Sequence, residues 1–167
     1  MENPLDRPFK EDSVFTMPTQ ESPNLKQLYY EDEHLWYLEN AKLIREGNFD
    51  LVDLEHIAEV LEDMGKRDYR EVLSRMRILL MHLLKWIFQK EKRTNSWKAS
   101  IVEQRKQLIA EFEDSKNLEN HARINFQKVY KDAVDVATAE TGLLKDAFPE
   151  NPPFTFEQAL DEDYLPE

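Results

Sequence analysis

The clearest pattern in the sequence is an apolar stripe in its middle. Within residues 66–89, apolar side chains recur at steps of three and four residues, the period of an amphipathic helix. The members of the stripe are Tyr69, Val72, Leu73, Met76, Leu79, Leu80, Leu83, Leu84 and Ile87. A stripe this wide needs cover on several sides, so it predicts a central, buried helix over residues 66–89.

Two weaker helical patterns precede this stripe. Apolar residues at similar steps predict a first helix over residues 26–46, and Gly47 can end it in the left-handed conformation. Asp53 is a good N-cap, and the pattern after it predicts a short second helix that ends at Gly65. The central helix is then expected to begin at residue 66.

Two further helical patterns follow the stripe. The polar run 94–96 offers Ser96 as the cap of a sparser amphipathic helix that reaches residue 114. A long helix is predicted over residues 118–140, stopped by Thr141 and Gly142. The patterns together predict an all-α fold of about five helices, with the last of them packed against the central one.

The two ends of the chain read differently from its middle. Residues 1–24 hold four of the eight prolines, which predicts a flexible, proline-rich arm before a single compact helical domain over residues 25–167. Residues 145–167 carry one cation and seven anions, and Thr155 can cap a short helix over 156–160. This acidic tail also contains apolar residues, namely Phe148, Phe154, Phe156, Tyr164 and Leu165. They predict that the tail docks on the fold, over the basic turn 90–97.

The composition supports helices and narrows the chemistry. The chain has 167 residues, of which 41% are hydrophobic and 34% charged, with only three glycines, as expected for long helices with polar faces. Cysteine is absent, which excludes disulfides, thiolate nucleophiles and cysteine-ligated zinc. No apolar run reaches the ~18 residues of a membrane span, and the first residues lack a signal pattern. We therefore expect a cytoplasmic protein that does not span a membrane.

The charge is distributed unevenly along this acidic chain. Residues 66–106 hold twelve Lys and Arg against four Asp and Glu, a net charge of +8 in a chain of net charge −12. The candidate binding surface in this stretch combines basic and aromatic side chains: His82, Lys85, Trp86, Lys92, Arg93, Trp97 and Arg105. Such a set could bind phosphates and stack bases. The overall negative charge repels polyanions, however, so nucleic acid is the disfavoured partner.

Two groups of residues could carry other chemistry. His82 lies beside Lys85 on the flank of the stripe. At such a position, a histidine more often forms a hydrogen bond to another helix than acts as a general base. Glu31 and His34 form one Glu-x-x-His step, to which Glu59 and Glu62 could add carboxylates. A di-metal centre needs a second such step, so a solvated acidic face is favoured and no metal is expected. His56 and His121 are expected at the surface, without a role.

Several motifs in this order resemble the domain of unknown function 29 family, a bacterial family common in cyanobacteria. They are residues 54–65 (LEHIAEVLEDMG), 82–86 (HLLKW), 96–97 (SW), 104–105 (QR) and 160–163 (LDED). The resemblance covers nearly all of the chain after the proline-rich arm. It implies a compact helical domain and supplies no catalytic residue.

The sequence therefore favours a non-enzymatic protein that acts by binding. Three glycines cannot supply a phosphate-binding loop, a dinucleotide fingerprint and a nucleophile elbow, and no such motif is present. Segregated charge is suited to steered association with a protein partner or with a second copy of the chain. We expect a cytoplasmic interaction or regulatory module without a cofactor. The alternative is a nucleic-acid-associated factor or enzyme that uses the region 85–105.

Overall fold

The computed structural model describes residues 24–167, which form helices joined by short turns. The helices are α1 (Leu25–Glu31), α2 (Glu33–Glu46), α3 (Leu54–Phe88), α4 (Asn95–Asp114), α5 (Lys116–Thr141) and α6 (Phe156–Leu160). Short 3-10 turns lie at Phe49–Leu51, Lys90–Lys92 and Lys145–Ala147. The described residues contain no strand, and the predicted all-α class is confirmed.

The chain divides into two compact units within α3. Unit 1 comprises Met1–Ile57 and unit 2 comprises Ala58–Glu167. The predicted boundary between an arm at 1–24 and a helical domain at 25–167 stays a prediction, because nearly all of that arm lies outside the described residues. Within residues 24–167, no helix combines the length and the apolar character needed to cross a bilayer.

The core of unit 2 forms around the second half of α3. The predicted apolar stripe is confirmed there, since Val72, Met76 and Leu84 are among its side chains with at most 1% exposure. α4 and α5 cover this face and pack against each other. Burying a leucine-sized side chain contributes roughly 1.5–3 kcal/mol, so this stripe supplies much of the driving force for folding unit 2.

The acidic tail docks on unit 2, as predicted. Phe148, Phe154 and Phe156 are buried, and Tyr164 and Leu165 pack against the core. Thr155 caps α6 in a capping box with Gln158. The predicted position of the tail over the turn 90–97 stays a prediction. Residues 157–159 are held by a hydrogen bond from Arg105 on α4 and an ion pair with Arg123 on α5.

The predicted first helix is wrong at Asp32, where the chain breaks into α1 and α2. The Asp32 carboxylate accepts a hydrogen bond from the backbone N–H of Leu35 at 3.0 Å and caps α2. The apolar period continues across this residue, so the pattern alone gave no sign of the break. The predicted end at Gly47 is confirmed, because this glycine has a φ of +77°.

The predicted boundary at Gly65 is also wrong, since α3 runs without interruption through it. Gly65 does not have a positive φ, unlike Gly47 and Gly142. One glycine inside a helix costs about 1 kcal/mol relative to alanine, which good helix formers on both sides can offset. Lys66 supports this stretch through ion pairs with Glu62 and Asp63. The two predicted helices 53–65 and 66–89 are therefore one.

The boundaries of α4 and α5 differ little from those predicted. Thr94, rather than the predicted Ser96, caps α4, and its hydroxyl oxygen accepts from the backbone N–H of Trp97 at 3.3 Å. α5 ends at Gly142, with a φ of +73°.

We predict opposite effects of alanine at two glycines. Gly65→Ala should raise the free energy of unfolding by about 1 kcal/mol, because an added Cβ at this helical position meets no atom within 4 Å. Gly142→Ala should lower it by about 1 kcal/mol, because alanine is strained at a positive φ. Urea-denaturation midpoints measure both changes. A loss of stability in Gly65→Ala would contradict a continuous α3.

Candidate functional site

Most of the side chains predicted to form a basic aromatic surface are buried or half-buried in unit 2. Lys85 is only 7% exposed and Arg105 only 2%. Four others are half-buried: His82, Trp86, Arg93 and Trp97. Lys92 is the one exposed member of the set.

Lys85 is held between three helices of unit 2. Its Nζ lies 2.6 Å from Glu140 Oε2 on α5 and 4.4 Å from the centroid of the Trp97 ring on α4. A buried ammonium is costly unless it is paired, and here a carboxylate and the face of an aromatic ring compensate it. Lys85 therefore works as an internal cross-link.

Two arginines of the predicted surface bind backbone carbonyls. Arg93 Nε donates to Trp86 O at 2.8 Å, and its guanidinium lies 4.7 Å from the Trp86 ring centroid. Arg105 Nε donates to Ala159 O at 2.8 Å and so holds α6 against α4. Burial lowers the pKa of Arg105, while the charge of Asp161 opposes that shift. Both guanidinium groups bind within the fold through Nε, while a buried Nη2 on each makes no hydrogen bond to the residues that the structure describes.

His82 is half-buried beside this group. Burial, and then the charge of Lys85, lower the pKa of the imidazole, and the charge of Glu140 opposes them. Burial and the charge of Lys85 therefore favour the neutral ring. Its Nδ1 is buried and makes no hydrogen bond to any residue that the structure describes, so the predicted bond to another helix is not seen at this atom.

A second group of polar and aromatic side chains occupies the interior of unit 1. Asp53, just before α3, places its Oδ2 3.2 Å from Trp36 Nε1 and 2.7 Å from His56 Nδ1. Trp36 comes from α2, and His56 lies one turn into α3, three residues after Asp53. All three are buried. We call Tyr29, Tyr30, Trp36, Asp53 and His56 the Asp–His cluster.

An asparagine completes the packing around Asp53. Asn40 Nδ2 donates to Trp36 O at 2.9 Å, and Asn40 Oδ1 accepts from the backbone N–H of Asp53 at 2.9 Å. Asn40 is itself buried. These bonds tie α2 to the start of α3 and fix the position from which the Asp53 carboxylate acts.

Two tyrosines of α1 contact the imidazole. The Tyr29 ring stacks on His56 with a centroid distance of 4.1 Å, and Tyr30 Oη lies 3.4 Å from His56 Nε2. A carboxylate can only accept, so Asp53 fixes the tautomer in which Nδ1 carries the proton. Nε2 is then the acceptor for the Tyr30 hydroxyl. Tyr30 is 79% exposed, so this hydrogen-bonded series connects the interior to the surface.

The family is decided by a family-model match described as Domain of unknown function DUF29, which covers residues 28–165. The chain belongs to the DUF29 family. This confirms the family expected from the sequence motifs. The comparisons with curated proteins and with solved structures gave no match. The DUF29 match includes both the Asp–His cluster and the group around Lys85, and the family description assigns a function to neither.

The Asp–His cluster of this DUF29 chain was not among the sites predicted from the sequence. The prediction that His56 lies at the surface is wrong, because it is 7% exposed. His121 is half-buried and stacks on Tyr69 at 4.1 Å, so its predicted surface position is not seen either. An Asp three residues before a His at a helix start was the available signal for Asp53 and His56. The aromatic partners come from other helices, and no spacing in the sequence indicates them.

The acidic residues considered for a metal do not form a centre in the part of the chain that the structure describes. Glu31, His34, Glu59 and Glu62 fall in that part, and residues 24–167 contain no group of three or more His, Asp and Glu placed to hold a metal ion. Glu31 instead accepts a hydrogen bond from Gln27 at 2.7 Å.

We predict that Asp53 makes the stability of this DUF29 chain sensitive to acid. Burial alone would raise the pKa of its carboxyl, but the hydrogen bonds from His56 and Trp36 outweigh burial and hold the pKa below the ordinary value of 3.8. A lowered pKa in the folded state contributes stability above the unfolded value, and this contribution is lost as pH falls through the folded value.

Asp53→Asn should therefore reduce stability at neutral pH and flatten its decline between about pH 5 and pH 2. Urea-denaturation midpoints across this range measure the effect. Asp50→Asn, at an exposed carboxylate in the preceding 3-10 turn, is the matched control and should behave like the unmodified chain. Equal acid profiles for both variants would refute the assignment.

We also predict that two cations of the predicted surface differ sharply in their effect on stability. Arg105→Gln should cost about 1–3 kcal/mol, because it leaves the Ala159 carbonyl without its buried donor. Lys92→Gln should change stability by less than about 0.5 kcal/mol, as is usual at exposed sites. Denaturation midpoints, together with limited proteolysis of the tail, test this contrast. Similar results for the two variants would contradict it.

Proposed function

We propose that this DUF29 chain is a protein-interaction or regulatory module that docks its partner on unit 1. The supporting observation is the distribution of exposed large hydrophobic side chains. Eight of them fall in the 34 described residues of unit 1: Tyr30, Leu35, Tyr37, Leu38, Ile44, Phe49, Leu51 and Leu54. The 110 residues of unit 2 hold only five.

The interior of unit 1 is correspondingly small. Among residues 24–57, Trp36 is the only buried hydrophobic residue, and the other buried residues are Asn40, Asp53 and His56. Exposed apolar side chains at this density are typical of association surfaces. A partner that covers them supplies the missing apolar burial.

The charge of unit 1 favours one class of partner. Residues 24–57 contain eight Asp and Glu against three Lys and Arg. A basic amphipathic segment of another protein satisfies both the apolar side chains and this charge. Residues 1–23 carry five Asp and Glu against two Lys and Arg, and a second copy of unit 1 repeats its own charge. Both of these alternative occupants are disfavoured by repulsion.

In this proposal, the module catalyses no turnover and is located in the cytoplasm. The missing glycine-dependent motifs and the cysteine-free composition support both parts. Nucleic-acid binding through the region 85–105 has less support. Lys85, Arg93 and Arg105 already bind groups of unit 2, which leaves exposed lysines such as Lys92 without the predicted aromatic partners.

The proposal is tested with a synthetic amphipathic helix of leucine and lysine as the probe. Fluorescence anisotropy of the labelled peptide should show binding to the full-length protein, and Leu38→Ser with Phe49→Ser should weaken it by tenfold or more, since each lost apolar contact costs about 1–2 kcal/mol. Ile124→Ser with Leu144→Ser is the matched control, because these unit 2 residues are 73% and 75% exposed. It should leave the affinity unchanged.

Four other results would overturn the proposal. A helix of leucine and glutamate that binds equally well would remove the charge argument. Competition by a synthetic peptide of residues 1–23 would assign the surface to the chain's own arm, and a dimer lost in the Leu38→Ser, Phe49→Ser variant would assign it to a second copy. Duplex DNA binding that weakens steeply between about 50 and 300 mM salt would favour the nucleic-acid alternative.

A further inference from the structure

In the Asp–His cluster, a carboxylate, an imidazole and a hydroxyl form a hydrogen-bonded series. Asp53 Oδ2 lies 2.7 Å from His56 Nδ1, and His56 Nε2 lies 3.4 Å from Tyr30 Oη. A hydroxyl within reach of a base, with that base oriented by a third group, is the arrangement that activates nucleophiles. The hydrogen bond to the hydroxyl is long, as such bonds often are before a substrate binds.

The surroundings of His56 hold the ring in the orientation that this chemistry requires. Asp53 accepts from Nδ1 and so leaves the lone pair of Nε2 for Tyr30. Trp36 Nε1 donates to the same carboxylate oxygen and fixes its position, while the Tyr29 ring covers one face of the imidazole. Asp53 is thus a positioning residue, and His56 is the candidate base.

Exposure separates the two ends of the series. The base is buried, whereas the hydroxyl-bearing Tyr30 is 79% exposed and open to a reagent from solvent.

We propose that Tyr30 is an acyl-acceptor site, activated by His56. Tyr30 Oη forms a bond to the carbonyl carbon of an acyl donor as His56 Nε2 takes the phenolic proton. The bond from that carbon to the leaving group then breaks, the leaving group departs with the electron pair, and His56 returns the proton to it. The products are an aryl ester on Tyr30 and the free leaving group. Each chain accepts one acyl group. This reaction goes beyond the proposed docking role and does not depend on it.

The charge around the cluster selects the donor. Residues 24–57 hold eight Asp and Glu against three Lys and Arg, so an anionic donor is repelled on approach. The fitting class is an uncharged acyl ester with a good leaving group.

The test uses the full-length protein and p-nitrophenyl acetate, with acetylation of each tyrosine followed by mass spectrometry of peptides. Tyr37, 41% exposed on α2, is the control in the same molecule, and its hydroxyl donates to Glu33 Oε1 at 2.7 Å rather than to an imidazole. Tyr30 should be acetylated at least about 100-fold faster than Tyr37, the lower end of the usual contribution of a general base. His56→Gln should bring the two rates together.

Further measurements separate the parts of the proposal. Asp53→Asn should reduce the Tyr30 rate while the Tyr37 rate stays unchanged. Acetyl phosphate, which offers the same acyl group with negative charge, should react more slowly than the neutral ester. Equal rates at Tyr30 and Tyr37 in the unmodified protein would overturn the site without any variant, and a faster reaction with acetyl phosphate would overturn the donor class.

Discussion

The apolar face of α3 between Val72 and Leu84 must be covered on several sides, and the rest of unit 2 depends on meeting that requirement. Six of its side chains are at most 1% exposed. α4, α5 and the aromatic residues of the tail supply the cover. Lys85 lies among these apolar side chains, so its ammonium needs partners inside the fold, which Glu140 and the Trp97 ring provide. Packing of the core thus also buries the Lys85 side chain.

The elements that the sequence predicted well are those with a strong apolar period or a decisive local residue. The stripe in α3, the ends at Gly47 and Gly142, and the cap at Thr155 are of this kind. The predicted helix boundaries are wrong where one residue is compatible both with the interior of a helix and with its end. Asp32 breaks the helix although the period continues, and Gly65 stays helical although glycine often ends helices.

The contacts that form the candidate sites could not be predicted from spacing along the chain alone. Charge along the chain suggested that the basic stretch forms a surface, but Arg93 and Arg105 reach carbonyls seven and fifty-four residues away. The acidic residues near His56 in the sequence suggested a surface position, whereas the rings that contact it in space belong to α1 and α2. Residue spacing did not identify the partners of these side chains, because the three-dimensional fold sets them.

The exposed stretch of α3 has a consequence for comparing relatives within the family. Every residue from 61 to 68 is exposed, so the helix there is maintained by its own backbone bonds and by ion pairs such as Lys66 with Asp63. Nothing in the described chain requires an apolar side chain at Leu61 or Met64 for packing. Conservation of apolar character at these two positions would therefore record selection for a contact beyond the described residues, while drift there would leave the described fold intact.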